Sequence, residues 1–246
     1  MQGWFLPTVL VFLRVGAAAT LLPGFGEQVL PVRVKLAAAL ALTAVVAPAV
    51  RLHIDGSGPA GLALAMAAEA VAGLAIGFGA RLFILALQIG GAIAAQATSL
   101  SQIAGGTGPE PQPAIGEVLT LAGLALAVAA RLHVRVAALL ILSYDVLPPG
   151  RFPAAADLSR WGLGQIASGF SLGFSLAAPF VAAALVYNLA LGFLSRAMPQ
   201  LMVSLVGAPA LTFGALALLA IVAPPGLALW LHAFQGFITA PFASVP

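Results

Sequence analysis

The clearest sign of the architecture is the stretch Trp161–Ser195, which reads WGLGQIASGFSLGFSLAAPFVAAALVYNLALGFLS. It holds no charged residue in 35 positions, although about 20 apolar residues are enough for a helix to cross the hydrocarbon of a bilayer. The stretch lacks the alternation of apolar and polar residues that marks a half-buried strand. It therefore predicts a long membrane helix, with Pro179 in its interior.

The same bias runs through all 246 residues of the chain. Charged residues make up 7% and hydrophobic types 62%, with a mean hydropathy of +1.11. So few charges cannot cover the surface of a soluble fold of this size, which excludes a soluble enzyme and a nucleic-acid-binding protein. The net charge of +3 comes from scattered basic residues and not from a phosphate-binding stripe. The composition indicates an integral membrane protein.

Outward from this stretch, proline, glycine and charged residues divide the chain into about six hydrophobic segments. Their predicted bounds are Phe5–Leu22, Leu36–Val50, Ala60–Ala97, Ala114–Leu142, Trp161–Ser195 and the part that follows Arg196. The third segment is too long for one span and predicts either one very long helix or two helices that meet near Gly77–Gly79. Lipid leaves backbone groups unsatisfied in anything but a helix or a closed barrel. We therefore predict an all-α, polytopic membrane protein.

Glycine and proline mark the predicted breaks between these segments. Thr98–Pro113 and Tyr144–Arg160 are expected to be loops, and the last segment is expected to be broken at Pro199, Pro209 and Pro224-Pro225. Lysine and arginine in alternate loops do not favour one orientation in the membrane. The first segment is predicted to be retained and not cleaved, because no basic residue precedes its apolar run.

Four charged residues lie within or at the end of apolar runs: Arg14, Glu69, Arg81 and Arg196. An ionised group in such a place is costly and faces protein or water. These four residues indicate one of two roles. They form either a relay for protons or ions, or structural salt bridges between helices and anchors at helix ends. We favour the second interpretation, because a proton-coupled carrier usually has more than one buried carboxylate. Glu69 and Arg81 are about 18 Å apart along one helix, so they could pair only between helices.

Two pairs of glycines have the spacing at which another helix backbone can approach. Gly73 and Gly77 form one pair, and Gly169 and Gly173 form the other. Glycines four residues apart lie on one face of a helix and allow close packing in membranes. We predict that both pairs pack helices, although a chain so rich in alanine and glycine also produces such pairs by chance.

No motif for catalysis, a cofactor or a metal is visible in the sequence. There is no phosphate-binding or dinucleotide-binding glycine loop, no His-Glu-x-x-His and no Gly-x-Ser-x-Gly. His53, His133 and His232 lie in separate regions without ligand spacing, and the chain has no Cys. Ser143–Asp145 is interpreted as a loop cap, because no nearby base completes a catalytic set. We therefore predict no enzyme activity, no cofactor and no metal.

Short motifs along nearly the whole chain carry a family resemblance. They are Phe12-Leu13-Arg14-Val15, Leu22-Pro23-Gly24-Phe25-Gly26, Gly73-Leu74-x-x-Gly77-Phe78, Asn188-Leu189-Ala190-Leu191-Gly192, Ser195-Arg196-Ala197-x-Pro199-Gln200 and Gly207-x-Pro209. Each motif alone is weak, but in this order and spacing the chain resembles the R-subunit (FliR) family of the flagellar type III export gate and its injectisome counterparts.

The resemblance implies long broken helices that form hairpins in an oligomeric export gate. It implies a P-subunit-like part over about 1–157 and a Q-subunit-like part over 158–246, with P and Q subunits as partners. Further implied partners are FlhB-type and FlhA-type export components, the MS ring of the basal body and unfolded export substrates. The implied location is the bacterial inner membrane, within the basal body and largely toward the periplasmic side.

The resemblance also implies roles for two sets of residues. The loop after the third segment would be a plug in the export channel, formed by Ser99, Leu100, Ser101, Gln102, Ile103, Gly105 and Gly106. A turn motif near the last segment would comprise Pro199, Gln200, Gly207 and Pro209. Three alternatives stay open: a small-molecule secondary transporter, whose inverted repeats are not evident here, a polytopic membrane enzyme, and an injectisome subunit.

Overall fold

The computed structural model describes residues 2–27, 30–50, 58–99, 114–197 and 203–242. Within these ranges the chain folds into seven α-helices and one short 3-10 helix, and no strand occurs. The helices are α1 (Gln2–Leu21), α2 (Val32–Val46), α3 (Pro59–Ser99), α4 (Ala114–Ala129), α5 (Leu132–Val146), α6 (Ala155–Ala197) and α7 (Val203–Thr239), with the 3-10 helix at Ala47–Ala49. The predicted all-α class is confirmed.

Four stretches of helix are long and apolar enough to cross a membrane. They are Val32–Ala49, Pro59–Thr98, Ala155–Ala197 and Phe213–Thr239. The pair α4 and α5 passes the same test together, as a span bent by 74°. With the shorter apolar helix in α1, these stretches correspond to the six predicted segments. The prediction of a polytopic helical membrane protein is confirmed by length and composition.

The third segment is one helix of 41 residues, and not two. Its glycines do not interrupt the helix, because the small residues of α3 face other helices of the same chain. A Cβ added at Gly79 would lie 2.7 Å from the ring of Phe237 in α7. The ring of Phe83, one turn further along α3, has its centroid 5.4 Å from those of Phe234 and Phe237. Tertiary packing thus keeps the helix continuous where glycine propensity alone favours a break.

The fourth segment does break, at Arg131. Its φ of 60° and ψ of 45° lie in the left-handed region, and it is the one residue other than glycine with a positive φ among those described. The Arg131 amide donates to the Val128 carbonyl at 3.0 Å, which closes the end of α4. The chain then turns into α5, where Leu132 is buried. Arg131 itself is exposed at this bend.

One predicted break is too wide and two others are wrong. The expected loop Tyr144–Arg160 is reduced to 147–154, because α5 extends to Val146 and α6 begins at Ala155. The last segment is not broken at Pro209 or at Pro224-Pro225, since α7 runs from Val203 to Thr239. Proline removes one backbone donor, but in apolar helices packed against neighbours the remaining turns stay intact. Pro199 lies outside the described residues.

The chain divides into two compact units. Unit 1 comprises Met1–Phe83, Leu124–Ser168 and Ala233–Pro246, and unit 2 comprises Ile84–Gly123 and Gly169–His232. In unit 2, α3 and α6 cross closely, because a Cβ added at Gly90 would lie 2.9 Å from the Gly173 carbonyl oxygen. The predicted division into P-like and Q-like parts at 157 and 158 stays a prediction.

Candidate functional site

Unit 1 contains a buried ion pair between α1 and α3. Arg14 is 1% exposed and Glu69 is 0% exposed. The Arg14 Nε donates to Glu69 Oε2 at 2.7 Å, and its Nη2 donates to Oε1 at 3.1 Å. The two parallel bonds form the bidentate geometry in which guanidinium and carboxylate bind most strongly. We call this pair and its partners the Arg14–Glu69 cluster.

Groups from α5 and from the α5–α6 connection complete the Arg14–Glu69 cluster. Arg14 also donates to the Ser143 hydroxyl at 3.2 Å and to the Leu147 carbonyl at 3.0 Å. The Tyr144 hydroxyl donates to Glu69 Oε2 at 3.3 Å, and the Tyr144 ring lies 3.7 Å from the Arg14 guanidinium carbon. The ring therefore adds a cation–π contact to the ion pair.

The backbone of the connection also binds the carboxylate. The Gly150 amide donates to Glu69 Oε1 at 2.9 Å. Gly150 has a φ of +71°, a conformation that glycine adopts without the cost that a Cβ imposes. The sequence Pro148-Pro149-Gly150 thus ends in a residue that can turn its amide toward the buried charge. The Arg14–Glu69 cluster connects α1, α3, α5 and the start of the connection to α6.

Small residues allow α1 and α3 to approach closely beside the ion pair. A Cβ added at Gly73 would collide with the Arg14 carbonyl oxygen, and one at Gly77 would lie 2.7 Å from the Ala18 carbonyl oxygen. The two glycines therefore face α1 of the same chain. This close approach places Glu69, one turn before Gly73, directly beside Arg14.

The geometry favours a structural role over a relay for the buried charges. Glu69 accepts four hydrogen bonds, which fill the acceptor positions of a carboxylate. Within the described part of the chain no buried side-chain nitrogen or oxygen lacks a partner, and Glu69 is the one buried carboxylate. Proton relays in membrane proteins are chains of Asp, Glu and His side chains, and Glu69 is the one such residue in the Arg14–Glu69 cluster.

The other two predicted charges, Arg81 and Arg196, do not belong to the Arg14–Glu69 cluster. Arg81 donates to Glu27 Oε1 at 2.8 Å, in a pair that is about one quarter exposed. Arg196 is exposed in the last turn of α6. Arg81 and Glu69, considered together in the sequence, thus each pair with a different residue.

The second glycine pair lies in unit 2. Gly173 is buried, and a Cβ added there would lie 3.0 Å from the Ala86 carbonyl oxygen of α3. Gly169 lies in α6 and is half-buried.

The predicted plug and most of the turn motif fall outside the described residues. Ser99 is the last residue of α3, and 100–113, which hold the rest of the plug, are not described. Pro199 and Gln200 are not described either, whereas Gly207 and Pro209 lie within the bounds of α7. Over the ranges that the structure covers, no group of three His, Asp or Glu could hold a metal ion.

Sequence reasoning missed the partners of the ion pair. It interpreted Ser143–Asp145 as a loop cap, but Ser143 and Tyr144 are buried in α5 and contact Arg14 and Glu69. One signal was available: Arg14 and Glu69 have opposite charges and lie in two different apolar runs. Each of these charges needs a partner, so they could have been paired with one another. Spacing could not show that α5 and Gly150 would meet them.

The fold and the Arg14–Glu69 cluster define a class of protein: a polytopic helical membrane protein whose helices are held together by a saturated buried ion pair. Comparison with known sequences identifies the family. The profile of the family described as bacterial export proteins, family 1, matches residues 5–237. The chain belongs to this family, and its resemblance to FliR proteins is confirmed.

Three relatives show the range of similarity. The flagellar biosynthetic protein FliR of Caulobacter vibrioides is 36% identical over 217 residues, which cover 86% of both chains. FliR of Escherichia coli is 29% identical over 86% of this chain and 82% of its own length. FliR of Pectobacterium carotovorum is 28% identical over 89% of this chain and 85% of its own.

Proposed function

We propose that this chain is a subunit of the flagellar protein export gate that helps to form and close the channel for unfolded substrates. The observation that carries the proposal is the family match over 5–237, together with 36% identity to a flagellar FliR over 86% of both chains. As a member of the FliR family, the chain is a membrane component of the flagellar export apparatus. It is a transport component, and the family match gives no support for an enzyme.

The apolar surface of α6 supports assembly with further helices. Leu185, Val186, Leu189 and Phe193 each expose more than half of their surface. At 3.6 residues per turn their positions fall within about 100° of arc, so they form one apolar face of α6. Lipid or helices of other subunits must cover this face. We assign this surface to P and Q subunits, which the chain bridges within the basal body, largely on the periplasmic side of the membrane.

Assembly and function are tested together in a bacterium whose own FliR is known. This chain, with an affinity tag, is expressed in Caulobacter vibrioides that lacks FliR. We expect the cells to swim again. We also expect the tagged chain to be purified in mild detergent as part of a complex far larger than its own 24.6 kDa. A monomer or dimer that leaves the cells non-motile, but transports a small solute in vesicles, would instead identify a secondary transporter. An injectisome subunit would assemble without restoring swimming.

The channel-closing role is assigned to the loop between α3 and α4. The sequence of this loop carries Leu100 and Ile103 among small polar residues, with Gly105 and Gly106 after them. Apolar side chains in a narrow constriction exclude ions, because they make the hydrated state unfavourable. The proposal rests on these residues and on the family resemblance.

Deletion of Ser101–Gly108 is expected to leave the gate assembled but leaky to small ions. The measurement is the ion conductance of purified gates in planar bilayers. The double substitution Leu100→Ser and Ile103→Ser keeps the loop length and is expected to leak as well, because it removes only the apolar side chains. Assembled gates of both variants that are as tight as the parent would rule out the plug.

A further inference from the structure

Basic residues that lie far apart in the sequence meet at one end of unit 1. Arg33 and Lys35 lie at the start of α2, Arg81 in the middle of α3, and Arg131 and Arg135 at the bend between α4 and α5. These are five of the ten lysines and arginines of a chain with only 7% charged residues. The fold thus concentrates half of its basic residues in one place.

The turn between α1 and α2 is bound to both α2 and α3. The Lys35 Nζ donates to the Gly26 carbonyl at 3.4 Å, and the Arg81 Nη1 donates to Glu27 Oε1 at 2.8 Å. Arg33 lies in the same helical turn of α2 as Lys35. The start of α2 and the middle of α3 therefore lie beside the same turn.

The same turn also contacts the start of α5. A Cβ added at Gly24 would lie 3.7 Å from the Cδ2 of Leu132, which directly follows Arg131. The Arg135 amide donates to the Arg131 carbonyl at 3.2 Å, so Arg135 lies in the first turn of α5. Both α2 and α5 therefore begin at this end of unit 1. We call the following four residues the basic cluster: Arg33, Lys35, Arg131 and Arg135.

The basic cluster has no counter-charge among the described residues. Glu27, the acid of the adjacent turn, is already paired with Arg81 at 2.8 Å. The remaining described acids lie at other places: Glu69 in the Arg14–Glu69 cluster, Glu117 in the first turn of α4, Asp145 near the end of α5 and Asp157 in a pair with Arg160. Four positive charges thus remain uncompensated in the part of the chain that the structure describes.

The positions of these cations do not stabilise the helices that carry them. The free amides at a helix N-terminus give it a partial positive charge, which favours an acid and disfavours a cation. The first turns of α2 and α5 hold no acid, and instead carry Arg33, Lys35 and Arg135. Side chains and helix ends therefore add to one positive potential, which attracts an anionic partner.

Exposed apolar side chains lie between the cations. Val32 is 80% exposed, Val34 49% and Val134 53%, and each directly precedes or follows an arginine of the basic cluster. A small inorganic anion could neutralise the arginines but would leave these valines in water. A protein segment with both acidic and apolar side chains would cover both kinds of surface.

We propose that the basic cluster binds an acidic, partly apolar segment of another protein subunit. Carboxylates of that segment pair with the exposed guanidinium groups of Arg33 and Arg131, and its apolar side chains cover Val32 and Val134. That the partner is a protein and not a lipid rests on the proposed function, because a chain that bridges gate subunits has protein neighbours. Complementary charges would fix the orientation of that neighbour during assembly.

The test measures binding of a defined acidic peptide to the purified full chain. The chain is reconstituted in nanodiscs of phosphatidylcholine, which has no net charge, and the probe is a fluorescein-labelled peptide of alternating glutamate and alanine. Fluorescence anisotropy gives its affinity, and the same peptide with glutamine in place of glutamate is the control. We expect the acidic peptide to bind at least about tenfold more strongly, and less so as salt rises, because exposed charge pairs are screened. Equal affinities for the two peptides would overturn the proposal.

Matched variants show whether the basic cluster is the site. Arg33→Gln with Arg131→Gln should lower the affinity for the acidic peptide about tenfold, because two charge pairs are lost. Arg151→Gln with Arg160→Gln removes the same charge from exposed residues outside the basic cluster, and should keep the affinity within about twofold. An affinity that is unchanged in Arg33→Gln with Arg131→Gln would overturn the proposal.

Thermal unfolding guards against a damaged fold. Because cations are disfavoured at helix N-termini, Arg33→Gln with Arg131→Gln should unfold at the temperature of the parent or above it. Arg33→Lys with Arg131→Lys keeps both charges and should keep the affinity for the acidic peptide within about threefold. Loss of binding in the lysine variant, with a lower Tm in both variants, would assign the arginines to the fold and overturn the proposal.

Native mass spectrometry distinguishes a protein partner from a lipid. The parent and Arg33→Gln with Arg131→Gln should retain phosphatidylglycerol equally. Retention that is lost in the variant, in a chain that does not bind the acidic peptide, would assign the basic cluster to lipid headgroups and overturn the proposal. The peptide measurement does not depend on motility, so its failure would leave the proposed function, which is tested by swimming, in place.

Discussion

The Arg14–Glu69 cluster leads to a quantitative prediction about stability. Glu69→Ala removes the carboxylate but leaves the Arg14 guanidinium buried, at 1% exposure, without a counter-charge. The same change removes the acceptor of the Gly150 amide and of the Tyr144 hydroxyl. A buried charge without a partner is among the most costly defects in a folded protein.

The size of the effect follows from the contacts that are lost. Removing one partner of a buried ion pair costs about 3–5 kcal/mol, because the other charge remains in a medium of low dielectric constant. This is a large part of a total stability of about 5–15 kcal/mol. In a protein of this length about 1 kcal/mol corresponds to 2–4 °C. Glu69→Ala is therefore expected to lower Tm by about 6–20 °C.

The assay is thermal unfolding in mild detergent, followed by tryptophan fluorescence. The matched control is Glu27→Ala, which removes a carboxylate from the pair with Arg81, where both side chains are about one quarter exposed. A partly exposed pair contributes about 1 kcal/mol or less, so this control should lower Tm by no more than about 4 °C. Equal shifts for the two variants would refute the reasoning.

A double substitution separates the buried charge from the lost packing. Arg14→Met leaves the Glu69 carboxylate without its cation and is expected to be as harmful as Glu69→Ala. In Arg14→Met combined with Glu69→Gln, the amide oxygen can still accept from Gly150 and no charge remains buried. The double variant should therefore unfold at a higher temperature than Arg14→Met alone. The single variant Glu69→Gln completes the comparison. A double variant whose loss in Tm equals the sum of the losses in Arg14→Met alone and in Glu69→Gln alone would show that pairing of the charges is not the cause.

Two further predictions concern helix packing and assembly. Gly73→Ala should lower Tm and the yield of folded protein, because the added methyl group meets the α1 backbone. The control Gly162→Ala should be neutral or slightly stabilising, because an added Cβ there has no neighbour within 4 Å. Equal Tm values for the two variants would contradict close packing at Gly73. Arg196→Ala should lower the yield of assembled gate more than transport per assembled gate, because the cation lies in the last turn of α6 and interacts favourably with the helix C-terminus. Normal yield of the complex with blocked export would contradict this role.

Composition and apolar length alone were enough to predict the class and most of the helices. A segment such as Trp161–Ser195 can satisfy its backbone in lipid only as a helix, and this local requirement does not depend on the rest of the chain. The same reasoning identified Arg14 and Glu69 as charges that need protein partners. The family motifs, spread along the chain, indicated the FliR family, which the match over 5–237 confirms.

Helix ends and side-chain partners depended on contacts between distant residues. Glycine and proline favour breaks locally, yet α3 runs through Gly73–Gly79 and α7 through Pro224-Pro225. Packing between helices outweighs these preferences, and a single sequence does not display it. Likewise Glu69 meets Arg14, 55 positions away, and Gly150, 81 positions away. Only the folded arrangement of α1, α3 and α5 brings these groups within hydrogen-bond distance. The cost of burying the Arg14 and Glu69 charges is then offset by their mutual attraction and by the hydrogen bonds that both side chains make.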